Sequence, residues 1–181
     1  MKKIIISFLA IGLIASSCKK NDDFFKKDDI AFKSGFIKAN IVGTSQDNIA
    51  LNESITAEYV SATDLTRSST YSIDANGNTV FKLNRSINLI GENNISLEVK
   101  KFKTTGILPL LTSFYLKYQK KIDEKQVLSL YYDNYSGGST SSITNLVFDE
   151  TTGSLKGAYS ITEETATITG EFDVVVVKEV N

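Results

Sequence analysis

Chemistry at neutral pH most often runs through an imidazole or a thiol, and this chain of 181 residues has no histidine and a single cysteine, Cys18. Without histidine there is no Ser-His-Asp relay, and the commonest zinc and iron ligand is missing as well. Carboxylates remain, since the chain carries 21 Asp and Glu. A glycosidase needs only two of them held about 5 to 10 Å apart. Most of these acids stand beside lysines or in turns, the pattern of a solvated surface, so a carboxylate-based hydrolase ranks third among the functions considered. Asp74-x-Asn76-x-Asn78 has the oxygen spacing that begins a calcium loop. The sixth position, where such a loop needs glycine, is Thr79, and the twelfth, where it needs glutamate, is Arg85. Asn76-Gly77 therefore reads as a hairpin turn. No catalytic residue, metal or cofactor is expected, and the chain is not expected to be an enzyme.

Aromatic residues give the one positive sign of binding. Tyr131, Tyr132 and Tyr135 precede the polar, Gly-rich stretch 136–142. Tyr132 shares a face with Leu128 and Leu130 and belongs to the core. Tyr131 falls on the other face with Ser129, and Tyr135 lies in the loop. A tyrosine ring is rigid and polar at its tip, so Tyr131 and Tyr135 are the candidate platform for a sugar or a peptide. The competing reading is ordinary sheet packing with hydroxyls in water.

These residues stand behind an unusual beginning. Lys2 and Lys3 precede an apolar run from Ile4 to Ala15 that contains no charge. A bilayer span needs about 20 apolar residues, whereas a basic start, a short apolar run and small residues describe a signal peptide. Ile14-Ala15-Ser16-Ser17-Cys18 resembles the lipobox of bacterial lipoproteins. That resemblance implies cleavage before Cys18, lipidation of Cys18 and attachment to a membrane through the lipid. The solitude of Cys18 fits, because no disulfide can form within the chain and a lipidated cysteine is no longer a reactive thiol. Residues 18–30, with Lys19-Lys20-Asn21-Asp22-Asp23 and Lys26-Lys27-Asp28-Asp29, read as a charged tether. The order cysteine, lysine, then acids resembles the signal that sends Bacteroidota lipoproteins to the outer face of the outer membrane. The alternative is the periplasmic face. Loss of residues 1–17 removes Lys2 and Lys3 and no acid, which moves the formal charge from −1 to −3. No basic cluster remains for a nucleic acid backbone. Four Asn-x-Ser sequons, at Asn52, Asn84, Asn94 and Asn134, are coincidental under a bacterial lipoprotein signal.

From residue 31 onward the apolar residues recur every second position, the period of half-buried strands. Ile37, Ala39 and Ile41 share a face, as do Ile55, Ala57 and Tyr59, and Ile95, Leu97 and Val99. Further strands are predicted at 71–73, 80–83, 113–118, 127–132, 143–148, 155–161 and 166–177. Asp74 to Asn78, Asn134 to Ser142 and Asp149 to Gly153 supply turns that join antiparallel neighbours. Thr104 to Leu111, with the only proline, Pro109, reads as a connection. The expectation is one all-β domain over 31–181 with eight to ten antiparallel strands, first as a sandwich and second as a closed or partly open barrel. Leu155-Lys156-Gly157-Ala158-Tyr159 with Thr169-Gly170-Glu171-Phe172 resembles the closing hairpins of small Bacteroidota envelope lipoproteins. The sequence therefore leads to a lipid-anchored binding or interaction module whose ligand is a glycan or an envelope protein. A structural subunit of an envelope assembly is the runner-up.

Overall fold

The computed structural model describes residues 31–44, 49–61, 69–88, 93–121, 127–133 and 140–179. Among them are eleven strands and no helix. They are β1 (Ala31–Thr44), β2 (Ala50–Ser61), β3 (Thr70–Ile73), β4 (Thr79–Ser86), β5 (Asn94–Lys101) and β6 (Leu110–Lys121). β7 (Val127–Asp133), β8 (Thr140–Asp149), β9 (Ser154–Thr162), β10 (Ala166–Val175) and β11 (Val177–Lys178) complete the set. Alternation produces them: β5 reads Ile95, Leu97 and Val99 buried, with Ser96, Glu98 and Lys100 between them half-buried on the other face.

The strands form one sheet in the order β7-β6-β5-β4-β2-β1-β10-β9-β8. Every neighbouring pair along that path is antiparallel, and the sheet curls into a half-barrel, a shape that both a sandwich and a partly open barrel describe. Its two walls meet through aromatic rings. Phe148 of β8 packs edge-on against Phe81 of β4 at 4.9 Å and Tyr71 of β3 at 5.0 Å between centroids, and Phe114 of β6 meets Tyr159 of β9 at 5.7 Å. The described core runs from Ile37 to Val176 as one cluster. Each fully buried Ile, Leu or Phe in it contributes about 1.5 to 3 kcal/mol.

All ten predicted strand segments coincide with strands. The total exceeds the expected eight to ten because 166–177 changes partners partway. Up to Val175 it pairs with β1 and β9. The Val176 amide then donates to the Gly153 carbonyl (2.9 Å) and the Val177 amide to the Ser69 carbonyl (3.0 Å). This turns the chain onto β3, which β11 joins in parallel. The predicted connection at 104–111 is also shorter than expected, since Leu110 and Leu111 already belong to β6.

The sheet passes from one wall to the other at a narrow seam. β2 meets β4 through the pair Tyr59 and Ser86, and beyond that point β3 takes over the same edge of β4. Arg85 sits at this handover with 1% of its surface exposed. Its Nη1 donates to Ser69 Oγ at 2.6 Å and to the Asn84 carbonyl at 2.7 Å, while the Asn84 amide donates to the same Ser69 oxygen at 3.2 Å. Burial lowers the guanidinium pKa to about 10. A buried cation needs such bonds to offset its lost hydration.

The closing hairpin explains its two Gly-x-aromatic motifs. Gly157 stands opposite Phe172, and Gly170 opposite Tyr159, so each ring lies over the other strand's glycine. A Cβ on Gly170 would collide with the Lys38 carbonyl and the Tyr159 ring. That vacancy lets the Tyr159 hydroxyl donate to the Lys38 carbonyl at 2.7 Å. Burial pushes this phenol far above its ordinary pKa, so it stays protonated and remains a donor.

Candidate functional site

Among the residues proposed from sequence, Cys18 and Tyr135 lie outside the described residues, as does most of the loop 136–142. Tyr131 takes the β7 position opposite Lys117, while Tyr132 stands opposite buried Leu116.

Asp74 forms a turn. Its Oδ1 accepts the Asn76 and Asn78 amides, both at 2.9 Å, and its Oδ2 accepts Asn78 Nδ2 at 3.0 Å and pairs with Lys100 Nζ at 2.8 Å. The Lys100 ammonium first, then the Asn78 bonds, hold this carboxyl well below the usual carboxylate range. Asn78 Oδ1 meanwhile accepts the Lys103 amide at 3.1 Å. Both carboxylate oxygens of Asp74 and Oδ1 of Asn78 are therefore engaged in a hairpin. Among the described residues no group of three or more Asp, Glu or Cys gathers as a metal would require.

A polar cluster that sequence reading missed occupies one end of the half-barrel. Leu51, Glu53, Ile55 and Ala57 alternate on the core face of β2, and all but Glu53 are apolar. Glu53 pairs across the register with buried Ile41, so its carboxylate starts out over the interior. It accepts Lys120 Nζ at 3.2 Å on both oxygens, from β6, a strand that is not its neighbour in the sheet. Tyr118, one step inward on the same face of β6, packs against the core. Burial raises its phenol pKa, and the negative charge of Glu53 within hydrogen-bonding reach raises it further. The signal was present as a single charged residue interrupting an apolar alternation, and likewise as Lys120 after Phe114, Leu116 and Tyr118.

This end therefore presents an anion, a cation and a phenol over an apolar floor. The ion pair is half exposed on the lysine side, with 50% of the Lys120 side chain in water against 19% for Glu53. The set can donate to and accept from hydroxyl or amide groups while a ring covers an apolar face. β1 and β6 run in the same direction, so their last residues, Thr44 and Lys121, lie at this end together with the first residues of β2. The half-buried Glu163, in the turn between β9 and β10, belongs to it as well, and burial raises its carboxyl pKa.

The opposite end is chemically different. There the connection 102–109 exposes Ile107 and Leu108, and Leu110 stands next to it at the start of β6. Comparison with protein families, with curated proteins and with solved structures finds no match for this chain.

Proposed function

We propose that the protein is a lipid-anchored binding module of the bacterial cell envelope, without catalysis, that takes a glycan or an envelope protein at the Glu53–Tyr118–Lys120 end. The anchor reading rests on Ile14 to Cys18 and on the absence of any second cysteine. Its expected address is the outer membrane with the domain facing outward, the periplasmic face being the alternative. The observation that carries the binding reading is the Glu53–Lys120 pair, an ionic bond on the core face that joins two strands not paired in the sheet. Holding a carboxylate partly dry above apolar neighbours costs free energy that packing with leucine would not. Such a cost is commonly retained where a ligand uses the group. Tyr131 and Tyr135 remain, from the sequence, the candidate aromatic contacts for a sugar or a peptide.

The test is capture from native envelopes with the full-length protein and with Glu53→Gln, Lys120→Gln and Tyr131→Ala variants. A partly buried charge-assisted hydrogen bond is worth about 1.5 to 3 kcal/mol. Either charge variant should therefore weaken retention about tenfold or more, while the melting curve shifts little. Equal capture by all the variants would remove the site from consideration.

A further inference from the structure

We infer that the opposite end of the half-barrel, bearing Ile73, Ile107, Leu108 and Leu110 together with Lys101 and Lys103, rests on an anionic phospholipid surface. The inference deepens the lipid-anchor reading and rests on it. Leu108 is 79% exposed and Ile107 and Ile73 are each 51% exposed, so none of the three is needed to fill the core. The rungs Ile73 to Thr79 and Thr79 to Lys101 set Ile73 two strands from Lys101, about 10 Å away, on the rim from which the connection 102–109 springs. The apolar residues therefore gather at one end of the molecule. A contiguous exposed apolar tip in water marks a contact surface.

Three further observations choose lipid as the occupant. The first is charge. Lys101 and Lys103 are exposed, and among the described residues no carboxylate pairs with either, because the nearby Asp74 is held by Lys100. Apolar side chains flanked by free lysines match a surface with acyl chains beneath anionic headgroups. The second is direction. β1, β4 and β6 run the same way, so the described chain enters β1 travelling away from the end that carries the connection before β6. Residues 18–30 can span at most about 45 Å, which confines the domain close to a bilayer that holds Cys18. The third is support. The Lys103 amide is fixed on Asn78 Oδ1, and Pro109 restricts the backbone of the tip, so the apolar residues are presented without further ordering cost.

The chain contains no tryptophan, so Leu108→Trp introduces a sole reporter at a position with no core role. The chain from Cys18 onward, made without the leader, is coupled through its only thiol to a maleimide lipid in vesicles of three parts phosphatidylethanolamine to one part phosphatidylglycerol. This fixes the attachment point whether or not cells lipidate Cys18, so failure here is distinct from failure of the anchor reading. The expected result is blue-shifted emission, quenched severalfold by brominated acyl chains, for the reporter at position 108. A Glu164→Trp reporter in the β9–β10 turn at the far end should remain red and unquenched. Adding Lys101→Glu and Lys103→Glu should reverse most of the quenching. Equal, weak quenching at both positions would overturn the inference. So would an emission at position 108 that is already blue-shifted without vesicles and grows with protein concentration, because a second copy of the chain would then be the occupant.

Discussion

Tyr159 crosses Gly170 at close quarters. The ring passes over the glycine and its hydroxyl reaches the Lys38 carbonyl, a geometry that leaves no room for a Cβ. Gly170→Ala must therefore displace either a backbone carbonyl or a buried ring, and should cost about 2 to 3 kcal/mol by overpacking. Tyr159→Phe keeps the ring and loses one hydrogen bond, for about 1 kcal/mol. Urea unfolding should rank the two in that order, and a larger loss for Tyr159→Phe would contradict the close-approach explanation. Asp74 supplies a pH-dependent counterpart. Its carboxyl is depressed in the folded state, so its stabilising effect is full above the ordinary value of 3.8 and is lost as pH falls below it. The stability gap between wild type and Asp74→Asn should accordingly be widest near neutrality and shrink toward pH 2, as tracked by urea midpoints, and a pH-independent gap would exclude this role. Sequence made the Asp74 turn legible because Asn-Gly chemistry is local. It flagged Gly170-x-Phe172 only as a pattern, since the reason lies on β1 and β9. Glu53 escaped notice altogether, because its partner Lys120 is 67 residues away.

At the scale of elements, the vulnerable point is the handover from β2 to β3 along the edge of β4. A single antiparallel pair, Tyr59 and Ser86, joins β2 to β4, and Ser69 ties β3, β4 and β11 together just beyond it. Its hydroxyl accepts from Arg85 and from the Asn84 amide, and its carbonyl accepts the Val177 amide that brings in β11. Ser69→Ala removes the hydroxyl while leaving the carbonyl, so it should cost about 1.5 to 3 kcal/mol, the range for a hydrogen bond to a charged group. Hydrogen exchange should quicken first at β3 and β11, with β1, β9 and β10 unaffected. Uniform acceleration across the sheet would show that the handover is no separate weak point. The strands themselves were legible from alternation, since each half-buried strand writes its own period. The curling of the sheet was not, because strand order depends on pairings such as β1 with β10 that join opposite ends of the chain. Nor did the valine run announce its change of partner: Val174 and Val176 are buried and Val175 and Val177 exposed, so the alternation continues through the break between β10 and β11.

For the whole molecule, the two ends of the half-barrel differ in kind. One carries Glu53, Tyr118 and Lys120 over an apolar floor, and the other, from which β1 runs away, carries exposed Ile107 and Leu108 with lysines. This polarity suits a module tethered at its N-terminus that turns its apolar end toward a bilayer and its ionic end toward a ligand. Residues 18–181 contain no uninterrupted apolar run of the length needed to span a membrane as a helix, about 20 residues. Acyl chains on Cys18 would then supply the attachment, each buried methylene adding about 0.8 kcal/mol of membrane affinity. The proposed anchor therefore stands or falls with that cysteine. The direct measurement is radiolabelled palmitate incorporation, with membrane fractionation, in cells producing either the wild-type chain or Cys18→Ser. The expected result is a labelled, membrane-bound wild-type protein, and an unlabelled variant that accumulates as uncleaved precursor or leaves the membrane fraction. A wild-type chain that takes up no label, or a Cys18→Ser chain that is still labelled, would contradict it.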